Sequence, residues 1–254
     1  MVDERLLQIL DNDGIVVIPS VIPTDQVAIL RAELEAAIAE DNIAHPDVFD
    51  KGMVHNCMLR GENMAALLDN QILINYLDTA FSDTCVVYAY QSSSLLPGQG
   101  NYGSRVHVDS PRFISNYDTN MGVIFPLDDF TESNGATLVL KGSHRNEVLP
   151  DFDEFLTNAV RACCSAGDMI LFNGRLVHAA GANTTSKARH SLTINVCRSY
   201  MRQRFDFPRM MSADAINNLG PHGKRLIGMN VRVPTALSEF YLPPDQRLYK
   251  PNQG

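Results

Sequence analysis

The 254-residue sequence has no tryptophan, no Cys-x-x-Cys spacing and no apolar run approaching the ~18 residues of a membrane span. Basic residues are scarce, with 21 Lys and Arg against 29 Asp and Glu and a formal net charge of −8. Without a basic stripe to neutralise phosphates, this balance argues against a nucleic-acid partner. The five cysteines, Cys57, Cys85, Cys163, Cys164 and Cys197, are odd in number and scattered. That usage excludes a disulfide framework or a cysteine zinc site, and it points to reduced thiols in the cytoplasm. The start, Met1-Val-Asp-Glu-Arg-Leu-Leu, has neither the basic beginning nor the apolar stretch of a signal peptide. The missing tryptophan removes one stacking platform and decides little else.

What is present reads as one globular domain over residues 1–254, since 45% hydrophobic and 20% charged residues are ordinary for such a domain. The first part, about 1–80, is helical support around a single strand. Residues 4–10 form an amphipathic helix that Asp11-Asn-Asp-Gly14 breaks, and Ile15–Ile18 is a strand closed by Pro19. Thr24-Asp25 offers a cap for a helix over Gln26–Glu40, with Val27, Leu30, Leu34, Ala37 and Ile38 on one face. Residues 41–63 read as a long loop carrying His45, His55 and Arg60. The histidines are expected at the surface, and Arg60 is a candidate contact for a small anion. Residues 64–80 form one or two helices.

From about 85 to 200 the pattern is β. Strands are expected at Cys85–Gln91, His107–Asp109, Asn120–Pro126, Ala136–Leu140, 168–173, 175–179 and 189–199, with a short helix or insertion at 150–160. Many short strands without intervening helices predict a sandwich or barrel rather than a parallel sheet. Residues 201–254 form a C-terminal extension with a helix near 212–220.

The chemistry gathers around Gly103-Ser-Arg-Val-His107-Val-Asp109-Ser-Pro111. In a strand, residues two apart share a face, so His107 and Asp109 would project together. An imidazole beside a carboxylate is two-thirds of the two-His, one-carboxylate set that holds non-haem Fe(II) with open positions. His178, at the end of the glycine-started strand Gly167-Asp-Met-Ile-Leu-Phe, is the candidate third ligand. Eleven residues later Arg189 opens a strand in which Arg189, Ser191, Thr193 and Asn195 share a polar face. His190, Leu192, Ile194 and Val196 share the apolar one, a pattern that suits a strand lining a hydrophilic pocket. His144 is expected to fix its own turn, His190 to be structural and His222 to sit in an exposed loop. Ser143 beside His144 lacks the turn geometry of a nucleophile. The arginines of Arg198-Ser-Tyr-Met-Arg-Gln-Arg204 form a solvated face that could also meet an anionic substrate. A metal-dependent binding protein and a zinc hydrolase would share the His/Asp/His set. Arg189 argues against both, since neither needs a buried arginine there.

These residues together resemble the phytanoyl-CoA dioxygenase family of Fe(II)/2-oxoglutarate-dependent oxygenases. The resemblance runs through Asp13-Gly-Ile-Val-Val-Ile-Pro, His107-Val-Asp109 and Glu132-Ser-Asn-Gly-Ala-Thr-Leu with Gly142-Ser-His144. It continues through Gly167-Asp-Met-Ile-Leu-Phe with His178, then Asn183, Arg189 and Arg225-Leu-Ile-Gly228. It implies a mainly β fold with flanking helices, a double-stranded β-helix or cupin-like jelly roll. It implies iron on His107, Asp109 and His178, and 2-oxoglutarate with its distal carboxylate on Arg189. Thr137 and Ser191 would be further co-substrate contacts, and Arg60 a contact to substrate or to the other carboxylate. The arginine fork suits a carboxylate better than a lysine would. With O2, and with ascorbate as an aid in vitro, such an enzyme decarboxylates 2-oxoglutarate to succinate and oxidises a substrate C–H bond. Halogenases of this type lack the carboxylate ligand, so Asp109 makes hydroxylation the default, with desaturation, cyclisation or rearrangement as variants. The substrate expected is a small or medium natural-product scaffold; an acyl-CoA is the alternative, as is a non-catalytic metal-binding protein. Neither nucleic acid nor membrane is expected as a partner, and a homodimer is left open.

Overall fold

The computed structural model describes residues 2–47, 52–82 and 84–251. Helix α1 (Glu4–Asp13) is capped by Asp3, which accepts from the Arg5 N–H, and ends at Gly14 in the left-handed region, φ +77°. Glycine takes that conformation without penalty, and a Cβ here would lie 2.4 Å from His144 Nδ1. Strand β1 (Ile15–Ile18) follows, then α2 (Thr24–Ala44). The expected Thr24-Asp25 cap is not used. Pro23 stands at the cap position, no side chain caps the helix, and α2 continues to Ala44. It thus takes the first residues of the loop expected at 41–63, and a single 3-10 turn occupies Cys57–Leu59. Residues 48–51 of that loop, and residues 1 and 252–254 of the expected domain, lie outside the described residues. Helices α3 (Glu62–Ala66) and α4 (Gln71–Phe81) are the pair expected at 64–80.

The β region contains β2 (Cys85–Leu95), β3 (Asn120–Pro126), β4 (Leu138–Val139), helix α5 (Phe152–Asn158), β5 (Val160–Arg161), β6 (Met169–Asn173), β7 (His178–Ala179) and β8 (Arg189–Arg198). Five strands form an antiparallel sheet in the order β1-β6-β3-β8-β2, and three form a smaller one in the order β5-β4-β7. Alternation gives the large sheet two apolar faces. Val16, Ile18, Met121, Val123, Phe125, Met169, Leu171, Leu192, Ile194 and Val196 pack outward with Leu30 and Leu34 of α2 and Leu73 and Leu77 of α4. Ile15, Ile124, Ile170 and Phe172 face inward, with Val139 of the small sheet. Each of these side chains, fully buried, contributes roughly 1.5–3 kcal/mol relative to exposure. Two facing antiparallel sheets with helices on the outside of the larger are the jelly-roll arrangement.

Three expected strands change. Ala136–Leu140 and 175–179 shrink to the two-residue β4 and β7, because their neighbours bond irregularly: Leu140 N–H donates to Val177 O, and Ala162 N–H to Thr137 O. His107–Asp109 is no strand. His107 forms an isolated bridge with His178, and Asp109 lies in a bend. The helix expected at 212–220 is α7 (Ala213–Asn218), preceded by α6 (Phe207–Met210) and followed by α8 (Pro221–Leu226) and α9 (Leu237–Phe240). No helix among the described residues is long and apolar enough to cross a membrane.

Candidate metal centre and co-substrate pocket

His107 and His178 meet through their backbones. Each N–H donates to the other's carbonyl at 3.0 Å, and the ring centroids stand 4.3 Å apart. Each imidazole is then fixed from behind, as His107 Nδ1 bonds Arg105 O at 2.6 Å and His178 Nδ1 bonds Leu176 O at 2.9 Å. A carbonyl only accepts, so both Nδ1 atoms carry the proton and both Nε2 lone pairs point into the cavity. Asp109 Oδ1 lies 3.6 Å from His107 Nε2 and 3.9 Å from His178 Nε2, while Oδ2 receives Asn195 Nδ2 at 3.1 Å. The potential ligand atoms of the three residues lie within 4.8 Å of one another. Phe172 closes the far side of His178, centroid to centroid 4.9 Å. Its ring crosses Gly122, where a Cβ would come within 2.0 Å of it, so that position requires glycine.

Protonation follows the same contacts. Burial pulls the His107 imidazole down, but its bonds to Asp109 and the Arg105 carbonyl and the Asp109 charge outweigh this and leave it above its ordinary value. Burial pushes Asp109 up, and the His107 bond, the two imidazoles and the Asn195 amide more than reverse that. His178 is held below its ordinary value, chiefly by burial. An ionised Asp109 and a neutral His178 are the forms that a metal ion takes.

Arg189, 2% exposed, opens β8 at the inner end of the same cavity. Its Nη1 donates to Gly135 O at 3.1 Å, the Phe130 ring lies 4.0 Å beneath the guanidinium, and Nε is buried without a partner among the described residues. Burial pulls its pKa to about 10, against the pull of the Asp128 charge, so it stays charged at neutral pH. A buried cation with an unused donor implies an anion to be taken up. The cavity has a volume of about 380 Å³ and is also lined by Thr137, Ser191, Thr193 and Asn195. All four polar-face residues expected on β8 therefore face it, and Ser191 Oγ donates to Ser93 O at 3.1 Å.

Arg60 does not reach this cavity. Its guanidinium is held by the end of α2, at 2.6 Å from Asp41 Oδ1, 3.0 Å from Glu40 Oε2 and 3.2 Å from Ala37 O. Ala37 and Glu40 lie within the helix as expected and Asp41 in its extension, so Arg60 is taken up by α2 itself, which corrects the expectation of a small-anion contact. His45 and His55 are exposed, as expected. His144 Nε2 bonds Asp11 O at 3.1 Å, and His190 Nδ1 bonds Ser94 Oγ at 2.8 Å outside the cavity. His222 sits in α8 rather than in a loop. Ser143 Oγ accepts from the Val177 N–H at 2.9 Å. Sequence reasoning put Asn195 on the polar face but missed its bond to Asp109, and it missed Phe130 under Arg189. The period-two pattern of β8 was the available signal for Asn195.

Comparison with known proteins agrees with this arrangement. The family description phytanoyl-CoA dioxygenase (PhyH) matches residues 10–191. An uncharacterized protein of Mycobacterium tuberculosis is 32% identical over 209 residues, covering 80% of this chain and 76% of its own. The iron/alpha-ketoglutarate-dependent dioxygenase ausU of Aspergillus calidoustus is 24% identical over 246 residues, covering 89% of this chain and 80% of its own. Among solved structures, that of EvdMO1 superposes with a TM-score of 0.61 at 22% identity, over 76% of this chain. This chain matches 49% of that protein's length, and the likeness is one of fold. Because the family match takes in both histidines, Asp109 and Arg189 within one continuous span, the chain belongs to the phytanoyl-CoA dioxygenase family of iron- and 2-oxoglutarate-dependent oxygenases.

Proposed function

We propose that His107, Asp109 and His178 hold Fe(II), that Arg189 binds the distal carboxylate of 2-oxoglutarate, and that the enzyme oxidises a C–H bond of a small organic substrate. One observation carries this reading: three converging ligand groups share a cavity with a buried, incompletely partnered arginine. The donor set fits the metal, since two neutral imidazoles and one carboxylate suit Fe(II) and leave positions open. When bound, the metal and its 2-oxo acid supply the oxidation, with succinate and CO2 as by-products.

The residues of this chain bind, orient and exclude water. The Arg105 and Leu176 carbonyls hold the imidazoles in one tautomer, and Asn195 holds Asp109 so that Oδ1 faces the histidines. Arg189 offers a fork to a carboxylate from a buried position, where charge-assisted bonds are strong. Thr137 and Ser191 add hydroxyl side chains to the lining of the same cavity. Ile124, Phe130 and Phe172 keep the inner wall apolar.

The cavity lies near the small end of the ~300–1,000 Å³ usual for ligand sites, and it must house both co-substrate and substrate. That favours a small natural-product intermediate over an acyl-CoA. Hydroxylation is the default outcome, and the five free thiols support work in the reducing cytoplasm.

The test is succinate formation by anaerobically purified protein given Fe(II), 2-oxoglutarate, ascorbate and air, with and without pooled small metabolites. Slow succinate release that accelerates with the pool is expected. An iron-loaded protein that forms none under either condition would be a binding protein instead.

A further inference from the structure

The cavity has a second end that the roles above do not use. Along β2, Ala89, Gln91 and Ser93 face the cavity opposite Asn195, Thr193 and Ser191 of β8, and Leu95 lies opposite Arg189. The co-substrate arginine therefore marks one end. At the other end the pairing slips, because Val87 opposes Val196 and Ala89 opposes Asn195, leaving Tyr88 as an extra residue. A bulge of this kind re-aims a side chain, and Tyr88 lines the cavity beside Ala89.

The segment after β8 fastens onto that bulge. The Arg204 N–H donates to Tyr88 O at 3.0 Å, and Gln203 Nε2 donates to Val87 O at 2.7 Å. Arg204 is thereby brought to the cavity wall with its side chain exposed. Arg60, Arg145, Arg209 and Arg225 are each ion-paired, whereas the Arg204 guanidinium makes no ion pair or hydrogen bond among the described residues. Gln91 adds a second unused group, since its Oε1 is buried without a partner among the described residues.

Charge points the same way. Among the described residues, Asp109 is the one carboxylate lining the cavity, against two guanidiniums. A divalent metal and a dianionic 2-oxo acid cancel each other, and Asp109 offsets Arg189. The charge of Arg204 is left for the substrate.

We propose that Arg204 and Gln91 select the substrate, a small organic acid whose carboxylate pairs with Arg204 and whose O–H or N–H donates to Gln91 Oε1. Met53, Tyr88 and Val108 provide apolar surface for its carbon skeleton. The proposal rests on the oxygenase reading of the cavity and adds the class of substrate.

The experiment measures binding to protein loaded with Fe(II) and 2-oxoglutarate under anaerobic conditions, by calorimetric titration. The probes are short-chain hydroxy and amino monocarboxylic acids, their methyl esters, and the parent acids without the hydroxyl or amine. Acids should bind about ten- to a hundredfold more tightly than esters, as expected for a charge-assisted pair. R204Q should lose that preference, and R204K should keep part of it, since a lysine keeps the charge without the fork. Q91L should remove the advantage of hydroxy and amino acids over the parent acids. R202Q, altering an exposed arginine outside the cavity lining, should keep both preferences. Equal binding of acids and esters by the native protein, an acid preference that survives R204Q, or an equal loss in R202Q would overturn the proposal. Succinate release from 2-oxoglutarate by the native protein reports separately on the oxygenase reading. Its absence with the acid preference intact sinks that reading alone, and its presence without any acid preference sinks the proposal alone.

Discussion

Strand β8 is paired along most of its length with both β2 and β3, whereas β4 and β7 share two residue pairs and His107 joins His178 by one bridge. The large sheet therefore places Arg189, Ser191 and Asn195 through strand alternation, backed by an apolar face packed with α2 and α4. The small sheet places its histidines without much regular ladder, through the mutual backbone bonds of His107 and His178 and the carbonyls behind each ring. A ladder aims many side chains at once, and a local pair aims only two. The wall proposed for the co-substrate is thus held by repetition, and the proposed metal ligands are held by individual hydrogen bonds. Asn195, on β8 and bonded to Asp109, ties the two together.

The comparison can be broken most severely at the proposed metal ligands. His107→Ala should reduce succinate formation by more than the ~100-fold upper end seen for outer-shell partners, with iron content falling in parallel. The fold should survive, since His107 is only half-buried beside a cavity, and a circular dichroism melt checks this. Full activity in this variant would remove His107 from the ligand set.

On the large-sheet side, Arg189→Ala should raise the 2-oxoglutarate requirement about ten- to a hundredfold, the ~1.5–3 kcal/mol of bonds to a charged group. Iron should still bind. Measuring iron content and the 2-oxoglutarate concentration dependence together separates the two walls, and an unchanged requirement would end the assignment of Arg189. Asn195→Ala addresses the tie between them. Removing one amide from Asp109 should weaken iron binding about tenfold while leaving the 2-oxoglutarate requirement close to that of the native protein. A metal titration with a chelator competitor reads it, and a selective effect on 2-oxoglutarate would show that Asn195 belongs to the other wall.

The smallest effect is expected outside both walls. Arg60→Ala breaks partly exposed ion pairs with Glu40 and Asp41, worth about 0–1 kcal/mol of stability. It should leave the 2-oxoglutarate requirement unchanged. A changed requirement would bring Arg60 back to the cavity.

Legibility followed the range of the physics. The strands at Ile15–Ile18 and Asn120–Pro126 appear with the bounds expected of them, because a short apolar run between turn residues specifies its own ends. The four-residue polar face of β8 was legible for the same reason. Arg60 was misread because its partners Ala37, Glu40 and Asp41 stand 19 to 23 residues earlier on α2, and no local pattern shows that the chain folds back onto that helix. The His107–Asp109 segment was misread as a strand although its two side chains do converge, since two residues at a bend can meet as well as two on a pleat.

The sequence by itself determined which chemical groups were on offer and which of them share a face, because side-chain type and backbone alternation are local properties. Only the tertiary structure decided that His178 would pair with His107 and that Asn195 would steady Asp109. It also decided that carboxylates would claim Arg60 while Arg204, bonded through its backbone to the bulge at Tyr88, stands at the cavity with no ion pair among the described residues. Those outcomes depend on which backbone groups and charges distant segments bring together, and no local periodicity encodes that.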